Sequence, residues 1–321
     1  MVGKRKIAMI LGMLLMGTSL IGCGNSAQNN SGETTGSTEG KKNIGIVQLV
    51  QHDALDSANK GFVDALKEKG YEDGKNITIE QQNAQGEQAN AQTICSQFTD
   101  AKKDLIFAIA TPTAQAAYNS TKDIPIVFTA VTDPVDANIA KSSGTNVTGT
   151  SDKVPVDKQI DLLKELIPDA KTIGVIYNTS EANSVNQVNE LKSAATAKGL
   201  NVKEIGVTNV NEINQNLSSA LADIEVLYTP TDNTVASGYA LVGNLCVKNN
   251  VPIIGAEEAV VDKGGLASIG IDYYKLGQEA GYKAVEILEG KKPSDIEITT
   301  LSEMSLTINT DVADKLGITI P

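Results

Sequence analysis

The stretch LIFAIATPT, residues 105–113, decides the fold. Residues 105–110 form a continuous apolar run, which is typical of a strand buried on both faces of a sheet. Thr111-Pro112-Thr113 then begins a helix that we expect to reach Tyr118, because proline is favoured at an early helical position. A buried strand followed at once by a helix predicts a parallel sheet covered by helices.

The same alternation continues in both directions along the chain. Short apolar runs predict further strands at residues 44–49, 77–80, 126–130, 172–177, 202–207, 225–228, 251–254, 267–271 and 305–308. Helical spacing of apolar residues, with glycine or proline stops, predicts helices at residues 57–69, 87–100, 156–166, 180–198 and 273–289. We expect the connection from Ile254 to Ala267 to be a loop.

These elements fall into two similar α/β halves, so we predict two Rossmann-like lobes with parallel sheets. A return to helix and strand after residue 271 indicates that the chain crosses back between the lobes, and several crossings would make a hinge. The predicted first lobe is 43–148 plus about 273–295, and the second is 149–272 plus about 296–321.

The first 22 residues have the features of a bacterial lipoprotein signal peptide. A basic start (Lys4-Arg5-Lys6) precedes an apolar run too short for a normal membrane span, and the run ends at Gly22-Cys23. We expect Cys23 to be acylated; an ordinary secretory signal with an incidental cysteine is the alternative. Residues 23–42 are rich in Gly, Ser, Thr and Asn, which is typical of a flexible tether.

Composition excludes several classes of function. The net charge of −12 argues against a nucleic-acid partner, because phosphate binding needs a basic surface. One histidine and three cysteines exclude a multi-histidine metal centre, and we expect no metal and no cofactor. Cys95 and Cys246 are expected to be buried free thiols.

Enzyme motifs are absent, so we expect a binding protein and not an enzyme. Gly70–Lys75 resembles a phosphate-binding loop but has one residue too few between its glycines, and Asn76 replaces the required Ser or Thr. His52-Asp53 is the one place for general-base chemistry, and a hydrolase that uses His52 is left open. A polar loop residue lining a cleft is the favoured interpretation of His52.

Polar side chains follow nearly every predicted strand, where parallel sheets bind ligands. Hydroxyls, amides and helix starts suit a carboxylate, and a buried carboxylate suits an ammonium. Together they predict a zwitterion such as a free amino acid, although helix capping alone explains most of these residues individually. The candidate site residues are His52, Leu55, Thr111, Thr113, Val131, Thr132, Asp133, Tyr177, Ser180, Asn183, Asp232, Asn233, Glu257, Asp272 and Tyr273.

Seven stretches carry a family resemblance that covers nearly all of residues 43–320: IGIVQ (44–48), HDALD (52–56), FTAVTDP (128–134), GVIYN (174–178), EANS (181–184), PTDN (230–233) and GIDYY (270–274). They resemble the substrate-binding lipoproteins of ABC importers with the type I periplasmic-binding-protein fold, most closely the group that binds tryptophan, tyrosine or phenylalanine. The resemblance implies a two-lobed clam-shell that closes on its ligand and delivers it to a membrane permease driven by an ATPase.

Ten of the candidate residues have an expected role. Asp232 or Glu257 would hold the ammonium, and the side-chain pocket would use His52, Leu55, Tyr177 and Tyr273. The carboxylate would be shared by Thr111, Thr113, Ser180 and Asn183.

The expected protein is a monomer, lipid-anchored through Cys23 at the extracytoplasmic face of the cell membrane. A surface adhesin role and a non-aromatic small solute are the alternatives to import of an aromatic amino acid. A DNA-binding regulator is disfavoured, because no headpiece precedes residue 43 and the signal exports the chain.

Overall fold

A computed structural model describes residues 40–139 and 145–321. The predicted signal peptide, Cys23 and most of the predicted tether lie outside the described residues. Within the described part, strands and helices alternate as expected. The first series is β1 (Lys42–Gln48), α1 (Asp53–Glu68), β2 (Ile77–Asn83), α2 (Gln88–Asp100), β3 (Leu105–Ile109), α3 (Thr111–Ser120), β4 (Ile126–Thr129) and β5 (Val147–Ser151).

The second series follows the same order and has more helices. It consists of α4 (Val156–Leu166), β6 (Thr172–Asn178), α5 (Ala182–Ala197), β7 (Asn201–Val207), α6 (Ile213–Ala220), β8 (Val226–Thr229), α7 (Asn233–Ser237), α8 (Tyr239–Lys248), β9 (Ile253–Gly255), α9 (Ala259–Asp262) and β10 (Ala267–Gly270). The connection expected to be a loop between Ile254 and Ala267 therefore contains the short helix α9, whose Val260 and Val261 are buried.

The last elements return to both lobes. They are α10 (Tyr273–Leu288), β11 (Thr299–Thr300), β12 (Ser305–Ile308) and α11 (Thr310–Leu316). Helix α10 packs on α1, β11 pairs with β5, and β12 pairs antiparallel with β10. The chain therefore passes between the two sheets at three places, residues 152–155, 271–272 and 301–304.

Each lobe is built on one sheet of six strands. Their strand orders are β11-β5-β4-β3-β1-β2 and β12-β10-β9-β8-β6-β7, and all neighbouring strands are parallel except β10 and β12. In both sheets the order reverses beside the first strand, between β1 and β3 and between β6 and β8. Such a reversal opens a crevice at the carboxyl ends of the strands, where α/β proteins bind ligands.

Two lobe boundaries differ from the sequence prediction. Gly149, expected in the second lobe, lies in β5 of the first sheet. Thr299–Thr300, also expected in the second lobe, form β11, which pairs with β5 and extends the first sheet. The sequence of β5 reads VTGTS, and its polar hydroxyls hide a strand that is nonetheless wholly buried. Thr148 and Thr150 satisfy their hydroxyls with the carbonyl oxygens of Ile296 and Leu276.

Helices α1 and α10 cross at two glycines. A Cβ atom at Gly277 would lie 1.9 Å from the carbonyl oxygen of Ala58, and one at Gly61 would lie 2.1 Å from that of Tyr274. Beneath them the rings of Phe62 and Phe107 stack with centroids 3.6 Å apart. This contact therefore joins α10, which follows the second crossing between the lobes, to the body of the first lobe.

We expect Gly277→Ala to destabilise the fold by about 1–3 kcal/mol, because the added methyl group meets backbone that cannot move aside. The clash outweighs the gain of about 1 kcal/mol that alanine usually brings to a helix. Urea unfolding measures the effect, with the exposed Glu279→Ala of the same helix as control. Equal midpoints for the two variants would contradict the close-packed crossing.

Candidate functional site

Loops from the two lobes meet at the carboxyl ends of the strands. The Oγ1 atoms of Thr132 and Thr231 lie 3.1 Å apart, and His52 Nε2 lies 3.4 Å from Asn233 Oδ1. At the rim, Lys263 Nζ is 3.4 Å from Asp53 Oδ2. Each pair joins a residue of the first lobe to one of the second, so the inter-lobe cleft is closed in this structure.

Four carboxylates are buried in this cleft. Asp152, Glu181, Asp232 and Glu257 are exposed by only 3%, 4%, 0% and 3%. None of the ion pairs within residues 40–139 and 145–321 includes any of them. Because a buried charge needs a partner, the cluster favours a positively charged group.

Two of the four carboxylates are engaged by the protein itself. Glu181 accepts from the side-chain amide of Asn233 at 2.5 Å and from the backbone N–H of Thr234 at 3.1 Å. Asp232 accepts from the backbone N–H of Asn178 at 2.6 Å and caps α7 through the N–H of Val235 at 2.8 Å. Burial, and then the charge of Glu181, raise the pKa of Asp232 to about 7.

The other two carboxylates each keep a free oxygen. Asp152 Oδ2 accepts from the Tyr273 hydroxyl at 2.8 Å, while Asp152 Oδ1 and Glu257 Oε2 have no partner. Burial raises the pKa of both groups, and the charge of Asp152 raises that of Glu257 further. These two oxygens are suited to hold an ammonium.

Helix starts face the cleft from both lobes. Helices α3 and α5 contact each other, and neither has a side-chain N-cap, so their first N–H groups are available. Beside them, Thr111 Oγ1 and Asn183 Oδ1 are buried without a partner. Helix N-termini carry partial positive charge, so this end of the cleft suits a carboxylate.

Backbone strain marks the same place. Ala110, which precedes α3, has φ of +90°, and Ala130, after β4, has φ of +54°. A side chain makes positive φ costly, and such strain is concentrated at ligand-binding loops. Both residues follow strands of the first sheet directly, so the strain lies where the first lobe faces the second.

Further polar atoms without partners are buried nearby. They are His52 Nδ1, Tyr239 OH, Thr229 Oγ1 and Ser268 Oγ. Thr229 and Ser268 lie opposite Gly255 on neighbouring strands. Burial lowers the pKa of His52 to about 4, so its imidazole is neutral at physiological pH. Because buried polar groups are normally hydrogen-bonded, this set indicates where a ligand is received.

The structure brings seven of the candidate residues together. They are His52 with Asn233, then Thr111, Thr132 and Asn183 around one small cavity, and Glu257 with Tyr273 around another. Asp133 lies at the rim, where it pairs with Lys153 at 3.1 Å and accepts from the N–H of Val135. Asp232 is present but serves the fold, because backbone N–H groups occupy both of its oxygens.

Six candidates lie apart from the proposed contacts. Leu55 and Val131 are fully buried in the apolar core, and the Tyr177 hydroxyl donates to Glu204 at 2.6 Å on the neighbouring strand. The remaining three have structural roles or are solvated: Thr113 donates to the Ile109 carbonyl, Ser180 is exposed, and Asp272 is an exposed cap of α10.

Sequence reasoning missed Asp152, Gln187 and Tyr239. Gln187 Nε2 donates to Thr231 Oγ1 at 2.6 Å, and Tyr239 begins α8. Asp152 immediately follows β5, so the rule that ligands bind after parallel strands would have found it had that strand been recognised. Gln187 and Tyr239 lie within helices and carry no such signal.

The described residues contain no group of three or more His, Cys, Asp or Glu side chains placed to hold a metal ion. Among the same residues, no helix has both the length and the apolar character that a membrane crossing requires.

We expect Asp232→Ala to lower the free energy of unfolding by about 1–3 kcal/mol, because two buried N–H groups lose their acceptor. Asp272→Ala removes an exposed cap and should cost about 1 kcal/mol. Thermal unfolding of both variants measures the difference. If the Asp232→Ala protein is as stable as wild type, Asp232 does not have the structural role described above and is again a candidate ligand contact.

Comparison with known proteins shows the family. A model described as ABC transporter substrate binding protein matches residues 43–321. A tyrosine-binding protein of Clostridioides difficile (strain R20291) is 49% identical over 318 residues, covering 98% of this chain and 92% of the relative.

Solved structures match most of the chain. A domain from Streptococcus pneumonia in complex with L-Trp has a TM-score of 0.84 at 39% identity, covering 88% of this chain and 96% of that one. The ligand-free, open structure of a substrate binding protein with adhesive properties from Clostridium difficile has a TM-score of 0.66 at 52% identity, with 87% and 96% covered.

A leucine binding protein from Thermotoga maritima, at 15% identity, shows the fold alone, with a TM-score of 0.62 and coverage of 84% and 99%. The two-lobed type I periplasmic-binding-protein fold expected from the sequence is confirmed, as is the expectation of a solute-binding protein instead of an enzyme. Such proteins work outside the cytoplasm. This chain belongs to the family of ABC transporter substrate binding proteins.

Proposed function

We propose that the chain binds a free amino acid with an aromatic side chain in the inter-lobe cleft and delivers it to an ABC permease. The observation that carries this proposal is the pairing of opposite charges across one cleft. Unpartnered oxygens of Asp152 and Glu257 suit an ammonium, while the starts of α3 and α5, with Thr111 and Asn183, suit a carboxylate.

Relatives support the aromatic side chain. One is named for tyrosine and another was solved with L-Trp. In this chain, which has no tryptophan, the rings of His52, Tyr239 and Tyr273 are buried around the carboxylates. A ring pair contributes about 0.5–1.5 kcal/mol beyond area burial, so these residues are the proposed contacts for the ligand's side chain.

The lobe arrangement supports closure around this ligand. The L-Trp complex matches this structure with a TM-score of 0.84, whereas the open, ligand-free relative matches at only 0.66 despite higher identity. We infer that the ligand first meets one lobe and that rotation about the three crossings brings the other lobe onto it. Contacts such as His52 with Asn233 form only in the closed arrangement, and water is excluded.

The anchoring and assembly of the protein are part of the proposal. The lipoprotein-type sequence around Cys23 supports a lipid anchor, followed by a tether that holds a monomeric binding protein near its permease. Adhesion is a second candidate role, favoured by the adhesive properties named for the relative that is 52% identical. Adhesion would not require the cleft, which distinguishes it from import.

Replacing either proposed ammonium ligand should weaken binding. We expect Asp152→Asn and Glu257→Gln each to raise the dissociation constant for the preferred aromatic amino acid by at least about tenfold, because each removes a charged hydrogen bond. Calorimetry against tyrosine, tryptophan and phenylalanine measures this, with the exposed Ser180→Ala as control. Unchanged affinity in both variants, or tighter binding of a non-aromatic solute by wild type, would contradict the proposal.

Cys23→Ala should abolish lipid attachment. Cells fed a palmitate analogue are expected to label the wild-type protein. They should also label the Cys95→Ala control, because Cys95 is buried and is not expected to be acylated. The Cys23→Ala protein should lose the label and leave the membrane fraction. Continued labelling of that variant would show that Cys23 is not the acylated residue.

A further inference from the structure

Closing the cleft buries more negative charge than the protein can neutralise. Asp152 comes from the first crossing, while Glu181, Asp232 and Glu257 belong to the second lobe. Residues of α1, from the first lobe, face Glu257 across the cleft: Asp53, Ala54 and Ser57 line a cavity of about 300 Å³ together with it. The closed arrangement therefore removes water from carboxylates that the open one would leave hydrated.

The groups around the cluster do not balance this charge. The phenols of Tyr239 and Tyr273 and the neutral imidazole of His52 face it. A second cavity of about 250 Å³ lies beside His52 and Tyr239. The acidic residues that line one or both of the two cavities are Asp53, Asp56, Glu258, Asp262 and Asp272. Lys263 is the one lysine or arginine among the residues lining those two cavities in the described part of the chain. Its ammonium is at the rim and pairs with Asp53.

We propose that the carboxylates of Asp152 and Glu257 hold the ligand-free cleft open at neutral pH, so that closure requires positive charge, supplied by the ligand's ammonium or by protons. The proposal rests on the proposed function only in taking an ammonium as the natural closing charge. Charge thus selects ligands at the closing step: a deaminated analogue with the same ring should not close the lobes.

The direction of the pH effect follows from burial. Burial raises the pKa of both carboxyls above their ordinary values. Closure without ligand is therefore unfavourable at a pH above the raised pKa values and becomes easier as the pH falls through them. His52 acts in the opposite direction, because its pKa is lowered to about 4 and protonation below about 6.5 opposes its burial. Two carboxyls outweigh one imidazole.

Pulsed electron paramagnetic resonance between nitroxides at Val135→Cys and Ser193→Cys measures the lobe separation directly. Val135 is a first-lobe residue with 57% exposure, and Ser193 is exposed on α5 of the second lobe. The native Cys95 and Cys246 are buried and would not be labelled; Cys23 is replaced by alanine. Each measurement is made with no ligand, with tyrosine, and with its deaminated analogue 3-(4-hydroxyphenyl)propionate.

At pH 7.5 without ligand, we expect wild type to be open and the closed fraction of Glu257→Gln to be about tenfold higher, because the variant buries one charge fewer on closure. The neighbouring Glu258→Gln, whose carboxylate is exposed and accepts from Thr307, is the matched control and should resemble wild type. Lowering the pH to 5.5 should raise the closed fraction of wild type without ligand, because burial raises the pKa of Asp152 and Glu257.

The proposal is overturned if Glu257→Gln and Asp152→Asn, both folded by circular dichroism, keep the wild-type distances without ligand. It is also overturned if the deaminated analogue closes wild type as well as tyrosine does. If no aromatic amino acid shortens the distance while Glu257→Gln and acid do, the charge-gated closure stands and the proposed ligand class fails.

Discussion

Uncompensated negative charge in the closed cleft is the constraint on which the rest of the site depends. Glu181 and Asp232 are stabilised by backbone and amide donors, which orders the loops after β6 and β8. Asp152 and Glu257 retain unpartnered oxygens. Two of the buried acids are therefore satisfied by the protein, and the other two need a cation. Because these two lie between the lobes, binding of the cation and closure of the cleft are coupled.

The fold places one of the unpartnered carboxylates at the hinge. Asp152 lies on the first crossing and Tyr273 directly follows the second, and the hydrogen bond between them joins the two segments. A ligand ammonium on Asp152 therefore touches the part of the molecule that bends. In the proposed binding mode the ligand's carboxylate meets helix starts from both lobes, while its ammonium meets the hinge and the second lobe. Neither lobe alone contains a complete site.

Much of the fold was predictable because buried parallel strands leave continuous apolar runs, as in residues 105–110 and 172–177. Strand β5 was missed because its threonines satisfy their hydroxyls through distant carbonyls, a tertiary effect that local pattern does not contain. The site was only partly predictable for the same reason. Being next to a strand end identified Glu257 and Thr111, but whether a side chain faces the cleft, as with Tyr273, or a neighbouring strand, as with Tyr177, depends on packing.

The glycine crossing of α1 and α10 has a mechanical consequence. Helix α1 begins beside His52, α10 begins at Tyr273, and interlocked backbones leave them no room to slide past each other. The two aromatic side chains at their starts therefore travel as one rigid lever when the lobes rotate. Substitutions that loosen the crossing of α1 and α10 should therefore raise the dissociation rate of the ligand, although they lie far from it. The helix pair is thus a place at which the residence time of the ligand could be adjusted in an engineered sensor.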